Sequence, residues 1–458
     1  MSKKSGLKVL WIILGIFILY VLINQIDTSP PEEEYTEKDV LALNFEKSNG
    51  FYLVLALNEP PEVDAHSRKF IQEYKQRFEP PFKYEDELPE KSYRAEIKKF
   101  APYLQKARFV NQYKTDWPAF AALNKDRIIS LEKELSFLTA RCEELLATET
   151  VADFTGPRFM FYSMPLLTVS RLYTALQLIQ IDEGNFESGV KGILAQVRLS
   201  KKLIKTARSV SVNDAGKTLL QESLKALNDV MNQKGCGPEI HERIFKELTP
   251  IHYENYGSGN AFTCYYLAVN RWIDGVIERR SRHGGREFNK HFTKVARILL
   301  QKQRTKNYYY YYISACLDYD KRPPFSWESD GVTTENLIKK SLWWLRNPTG
   351  KFIFSEELQF DFQPYIFKTH ETKVIYDLTR IAAELHLKHS NEMGVVETLN
   401  GLESYRARDP YSGKRYTWDE KKKILYSVGP NRKDDGGYFD PHVHNKADPP
   451  DIVIPCRL

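Results

Sequence analysis

The stretch MPLLTVSRLYTALQLIQIDEGNFESGVKGILAQVRLSKKLI, residues 164–204, leaves the chain little choice of fold. Apolar residues recur three and four apart up to about Ile181, break at DEGNF, and resume in the same rhythm. An apolar stripe of that period is buried as one face of an α-helix, so the segment reads as two helices joined by a tight turn. The same signal runs through DRIISLEKELSFLTARCEELL, where Ile129, Leu131, Leu135, Leu138 and Cys142 recur at spacings of two to four. It returns in ETKVIYDLTRIAAELHLKHS, residues 371–390, where Ile375, Leu378, Ile381, Ala382 and Leu385 share a face. From about residue 90 to 250 the pattern is helical, with units of about 35–40 residues like those of helical-repeat hairpins. Successive units do not align, so the expected fold is mainly α, a large helical bundle or helical-hairpin array. Residues 46–70 hold an apolar stretch closed by Pro60-Pro61, which fits either a strand or a short buried helix.

The N-terminus adds a second constraint. Lys3, Lys4 and Lys8 precede an apolar run from Val9 to Ile23, extendable to residues 7–26. Some twenty residues at about 1.5 Å each span roughly 30 Å, the thickness of a bilayer core. Lys8 can snorkel to the head groups. No small-x-small cleavage site follows in LINQIDTS, which favours an uncleaved transmembrane anchor over a secretory signal. Lysines before the run and Asp27 and Glu32–Glu34 after it place the N-terminus in the cytoplasm and the bulk of the chain outside. The expected partner of residues 7–26 is therefore the bilayer itself. TSPPEEEYTEKDV, residues 28–40, reads as a polar linker.

A chain of 458 residues is long for one core, so more than one folding unit is expected. The sequence suggests a cytoplasmic stub and anchor over 1–27, the linker over 28–40 and a helical body over 41–350. Amphipathic helices over 351–400 then lead to a small β tail over 401–458. The net charge of +6 is too mild to imply nucleic acid. Residues 271–306 are more basic, with eleven Lys/Arg against three acids. They offer contact with anionic lipid head groups, or simply a solvated helix face. The five cysteines, at 142, 236, 264, 316 and 456, contain no C-x-x-C pair, which argues against a zinc knuckle or a disulfide framework. The tyrosine run in NYYYYYISACL would point all round a helix, with some rings in the core and some at the rim.

The usual catalytic constellations are missing from the sequence. There is no Gly-x-Ser-x-Gly elbow and no His-Glu-x-x-His, and AGKT at 215–218 lacks the upstream glycine of a phosphate loop. Glu356, Glu357 and Asp361 could supply paired carboxylates, as any acidic loop could. His386 and His389 lie three apart on one helix without a nearby acid, and read as surface histidines. FDPHVHN places His442 and His444 two apart beside Asp440, a spacing that can aim both imidazoles at one metal ion.

The last sixty residues change character. Asp409-Pro410 and Ser412-Gly413 are turn signals beside β-prone runs at Tyr416–Trp418 and Ile424–Val428. A helix, then DPYSGKRYTW, then LYSVGPNRKDDGG and a final Asp-Ile resembles the C-terminal domain of the major pseudopilin of type II secretion. The resemblance implies a helix leading into a small antiparallel sheet, with a calcium ion fixing the closing loop. By position, Asn431 stands where that family has its loop aspartate, and Asp448 and Asp451 fall near its later acids. Asp434 and Asp435 lie between, without a firm counterpart. Calcium takes six to eight oxygens, and Asn431, Asp434, Asp435, Asp440, Asp448 and Asp451 supply enough. An amide at 431 in place of a carboxylate implies weaker affinity, and the alternative is a turn with solvated acids. The chain lacks the Phe-Thr-Leu-Ile-Glu opening of a pseudopilin, so it is not expected to be one.

A broader resemblance rests on the order of several segments. NGFYLVLALNEPPEVDAHSRK, the hairpin at 176–203, LQKQRTKNYYYYY, NPTGK and DLTRIAAEL together resemble uncharacterised bacterial proteins. Those proteins combine a membrane anchor, a large helical body and the same pseudopilin-like ending. The expected protein is a single-pass protein of the bacterial inner membrane, its bulk periplasmic, acting without catalysis as a scaffold or interaction module for another envelope protein. Two alternatives stand beside it. One is a metal-dependent envelope hydrolase using Asp440, His442 and His444; the other is an accessory protein of a secretion or pilus-type system.

Overall fold

The computed structural model describes residues 11, 13–22, 29–31, 34–39, 46–57, 59–78, 104–112, 116–153, 163–251, 257–282, 300–327, 347, 361–389, 394–438 and 451–458. The chain is mainly helical, with one small antiparallel sheet near the C-terminus. It divides into two compact units, each assembled from separated segments. The larger takes residues 41–261, 319–327 and 365–458; the smaller takes 1–40, 262–318 and 328–364.

The larger unit begins with α1 (Phe51–Ala56) and α2 (Arg68–Phe78), followed by α3 (Trp117–Leu123), α4 (Lys125–Glu134) and α5 (Ser136–Ala147). The run whose periodicity was ambiguous is thus the helix α1. All six of its residues, FYLVLA, are buried, as expected of a helix that is apolar all round. Asn49 fixes its start: the side-chain amide donates to the Ala152 carbonyl at 2.7 Å, and its oxygen accepts from the Phe51 and Ala152 amides. Arg141 of α5 holds the chain leaving α1. Its guanidinium donates to the carbonyls of Ala56, Glu59, Pro60 and Val63 at 2.6–2.9 Å.

The predicted hairpin is α6 (Ser163–Asp182) and α7 (Phe186–Thr206). The turn needs Gly184, whose φ of +93° is strained for a side-chain-bearing residue. The two helices approach closely because Gly189 and Gly192 face α6. A Cβ on Gly192 would sit 2.3 Å from Gln177 Oε1, and one on Gly189 would sit 2.4 Å from Ile181 Cγ1. Helices α8 (Val210–Met231) and α9 (Pro238–Glu247) complete this bundle. Two polar groups inside it are paired across helices: Gln196 spans from the Thr174 hydroxyl to the Ser170 carbonyl, and Arg171 forks onto Glu222.

Helices α10 (Gly259–Arg282) and α11 (Lys302–Lys321) supply most of the described smaller unit. Its core is aromatic, with the Phe362 ring centred 4.5 Å from Phe262 and 5.8 Å from Tyr312. The tyrosine run lies on α11 with Tyr309 and Tyr312 buried and Tyr311 exposed, the division that a helical period imposes. Glu34 accepts from the Tyr266 hydroxyl and from Asn270. In the basic stretch, Lys306 pairs with Asp274 at 2.9 Å, while residues 283–299 lie outside the described ones.

Helix α12 (Gln363–Lys388) carries the stripe expected over 371–390, and every named residue of it is buried. The opposite side is buried too: Val374, Tyr376, Asp377, Thr379, Ala383 and Glu384 are all covered. The helix is therefore central in the larger unit, and several of its polar residues have internal partners. Asn228 donates to Thr379 at 2.7 Å, and Glu384 receives the Ser404 amide at 2.9 Å and Lys388 at 2.6 Å.

After α13 (Val395–Gly401) come β1 (Thr417–Asp419), β2 (Ile424–Ser427) and β3 (Ile452–Pro455), antiparallel in the order β1-β2-β3. The register sets Trp418 opposite Leu425 and Leu425 opposite Ile454. Asn232, at the end of α8, donates to the Pro455 carbonyl and accepts from the Arg457 amide, so β3 is tied to the helical bundle.

Among the described residues no helix is long and apolar enough to cross a membrane. Residues 13–22 are helical, with Ile13, Leu14, Ile16, Phe17, Ile18, Leu19 and Leu22 all exposed. Residues 1–10, 12 and 23–28, the rest of the expected span at 7–26, lie outside the described residues.

Candidate functional site

The closing loop of the tail is built on backbone that only glycine adopts easily. Gly436 and Gly437 both have φ near +68°, and a Cβ on Gly437 would meet Ile424 Cδ1 at 2.4 Å. The turn brings Asp434, Asp435 and Asp451 together. Asp451 Oδ2 accepts the Gly437 amide at 2.7 Å, and Oδ1 faces the Asp435 amide at 3.5 Å. Asp434 accepts the Gly436 amide and the Tyr426 hydroxyl, while Asn431 donates to Asp435 at 2.8 Å. Burial raises the Asp451 carboxyl above its ordinary range, its two amide bonds oppose that, and the charges of Asp435 and Asp434 add to it.

These contacts account for part of the ligand set expected from sequence. Among the described residues no group of three acids, histidines or cysteines is arranged to hold a metal ion. Asn431 turns its amide nitrogen toward Asp435, so it acts as a donor within the loop. Asp440, His442, His444 and Asp448 lie outside the described residues, as do Glu356 and Glu357; Asp361 caps the start of α12.

His386 and His389 point to different partners. His386 stacks on His241 with ring centroids 4.7 Å apart and stands 3.6 Å from Cys456 Sγ, whereas His389 faces Thr398. His386 and His241 are thus packing groups of the bundle. No disulfide joins any of the five cysteines.

A second polar constellation is wholly internal. Lys217 sits on the buried face of α8, within the AGKT segment, and is 1% exposed. Its Nζ donates to Ser258 Oγ at 2.7 Å and Thr369 Oγ1 at 2.6 Å. Thr369 donates to Asp320 Oδ1 at 2.6 Å, and the Ser258 amide donates to the other Asp320 oxygen. Burial pushes the lysine down to about 8 and the aspartate up, while each charge supports the other. Ser258, Thr369 and Asp320 are as enclosed as the lysine. The cluster is a buried ionic joint between helices.

No family model, curated protein or solved structure matches the chain. The reading of this chain therefore rests on its own residues.

Sequence reasoning did not find the internal roles of Lys217, Asp320 and Asp409. Lys217 carried a weak signal: it lies four residues from Asn213 and three from Leu220, both buried on α8. Asp409 was read only as a turn former. It is buried and accepts from the Tyr411 amide, Ser412 and Ser427, which clips the turn at 409–412 to β2.

Proposed function

We propose that this chain is a single-pass protein of the bacterial inner membrane whose helical body serves as a non-catalytic scaffold or interaction module in the cell envelope. The observation that carries the reading is the helical stretch at 13–22. Ile13, Leu14, Ile16, Phe17, Ile18, Leu19 and Leu22 on it are exposed, next to three lysines in the preceding sequence. Water disfavours such a surface by about 25 cal/mol for each Å² of apolar area, and a bilayer removes that cost. On this reading the N-terminus is cytoplasmic and the body periplasmic, and the stretch at 271–306 is a candidate contact for anionic lipid.

The order of helix, three short antiparallel strands and glycine-turned loop supports the likeness to a pseudopilin C-terminal domain, and with it the uncharacterised anchored family. A calcium ion at the loop would draw on Asp434, Asp435 and Asp451, with Asp440 and Asp448 as the sequence's further acids. It would offset the burial and, to a lesser degree, the neighbouring carboxylate charges that now raise Asp451. The loop's own amides already occupy both Asp451 oxygens, so the ion would strengthen a turn that closes without it.

Alkaline carbonate extraction of membranes from cells making the full chain tests the anchor. The chain should stay in the pellet, and Ile16→Arg with Leu19→Arg should release it; release of the unaltered chain would overturn the reading. Thermal unfolding in detergent, with millimolar calcium and then with chelator, tests the loop. Saturation to one hundred times the dissociation constant adds about 2.7 kcal/mol, and Asp434→Ala with Asp435→Ala should abolish it. His442→Ala with His444→Ala should leave function, folding and localisation intact, whereas a hydrolase built on that pair would lose function.

A further inference from the structure

Given the N-terminal anchor proposed above, we propose that residues 29–35 are a strap that docks the smaller unit, basic end first, on anionic lipid head groups.

The stretch expected to be a free polar linker is laid along the smaller unit. Asn307 of α11 donates to the Ser29 carbonyl at 2.8 Å. Glu34 accepts from the Tyr266 hydroxyl at 2.8 Å and from Asn270 at 3.2 Å, both on α10. The Tyr35 ring packs on Tyr266 and Tyr310, with centroids 5.6 Å and 5.2 Å away, and its hydroxyl lies 3.1 Å from Ser314 Oγ. Glu34 and Tyr35 are half-buried. Partners on both helices fix a path, which a solvated linker would not follow.

The path has a direction. Asn307, which holds Ser29, lies near the start of α11, and Ser314, which meets Tyr35, lies two turns later. The chain leading back to the span therefore leaves from the N-terminal end of α11. The C-terminal part of α10 lies at that same end. Lys306 pairs with Asp274 at 2.9 Å and Lys302 donates to the Asp274 carbonyl at 2.9 Å, while Tyr266, two turns earlier on α10, lies beside Tyr310. By sequence this end carries Arg279, Arg280, Arg282, Lys302, Arg304 and Lys306 against Asp274 and Glu278.

Reach and charge then agree. Ser29 follows the expected span at 7–26 by three residues, so at about 3.5 Å per residue it stays within about 10 Å of the hydrocarbon core. Head groups occupy roughly 5–8 Å of that distance. Asn307 is thereby held at the head-group border, and Lys302 stands more than one turn nearer the basic end. An anionic surface acts over about one Debye length, 8–10 Å, and within it each Lys or Arg strengthens binding about fivefold. The strap keeps the basic end inside that range.

Fluorescence quenching with the full chain in vesicles tests the docking. The label sits on Lys302→Cys in a Cys236→Ser background, since the other four native cysteines are buried. Vesicles of phosphatidylglycerol or of phosphatidylcholine carry a lipid with a nitroxide on its head group. Emission should be about twofold lower in phosphatidylglycerol than in phosphatidylcholine. Glu34→Ala with Tyr35→Ala should restore it. An insertion of about twenty Gly/Ser residues after Asp27 should restore it too, because it leaves the strap's contacts in place and adds an average reach of about 25 Å. Flotation of the vesicles reads the anchor separately. A chain that does not float overturns the anchor and the docking with it, whereas a floating chain with an unquenched label overturns the docking alone. Equal emission in both lipids, or quenching that survives both the substitutions and the insertion, also overturns the docking.

Discussion

Replacing Arg141 by methionine should loosen the segment that follows α1 far more than it loosens the rest of the bundle. Methionine keeps an apolar stem of similar length and deletes all four guanidinium bonds to Ala56, Glu59, Pro60 and Val63. A hydrogen bond from a charged donor contributes about 1.5–3 kcal/mol net. Four do not add, because only the bond to Ala56 is fully buried and the other carbonyls can recover water. Loss of the buried cation also returns its desolvation cost. These opposing effects leave about 3–4 kcal/mol. At 1.4 kcal/mol per tenfold, local opening should become about 10²–10³ times more frequent. Hydrogen exchange reads this directly, on the amides of Glu59 and Val63, whose acceptors Ala56 and Pro60 lie within the stapled segment. A peptide from α8 serves as the internal reference. Arg141→Lys should fall between, since one ammonium has three donors for four carbonyls. Exchange in the methionine variant within about threefold of the unaltered chain would refute the staple.

The remaining predictions concern the buried joint and the histidines. Lys217→Met leaves Asp320 without its cation and should cost about 3–5 kcal/mol, part of which Asp320→Asn in the same chain recovers. A double-mutant cycle by urea unfolding measures the coupling, and a value near zero would remove the joint. Burial pushes His370 down to about 3; burial, with His241 and His389 nearby, pushes His386 down to about 4. Both lie below the value of an unfolded imidazole, so their contribution to stability is complete above about pH 6.5 and is lost as pH falls toward 4 and 3. Thermal midpoints between pH 7 and 4 should therefore fall, and His386→Phe should flatten the slope; an unchanged slope would contradict this.

Much of the helical architecture was legible because helix period and turn chemistry are local. The α6–α7 hairpin, the five-residue face of α12 and the two predicted strands follow from spacing and turn residues within a short window. The choice between strand and helix for FYLVLA was not legible, because an apolar run carries no period. Long-range partners decided it: Asn49 reaches the chain at Ala152, and Arg141 reaches back across some eighty residues. The candidate sites divide the same way. Adjacent Asp434 and Asp435 beside paired glycines announced a loop, yet only the fold brought Asp451 to its amides.

By itself the sequence determined an α-rich chain with an apolar N-terminal run and a short β ending, since those properties depend on neighbours three or four residues apart. Tertiary structure alone decided that α12 is buried on opposite sides and that Lys217 meets Asp320. It also decided that Lys201 of α7 donates to the Tyr376 hydroxyl of α12. Each of those facts depends on residues distant in the chain, whose approach is set by the packing of whole helices, and no local pattern encodes it.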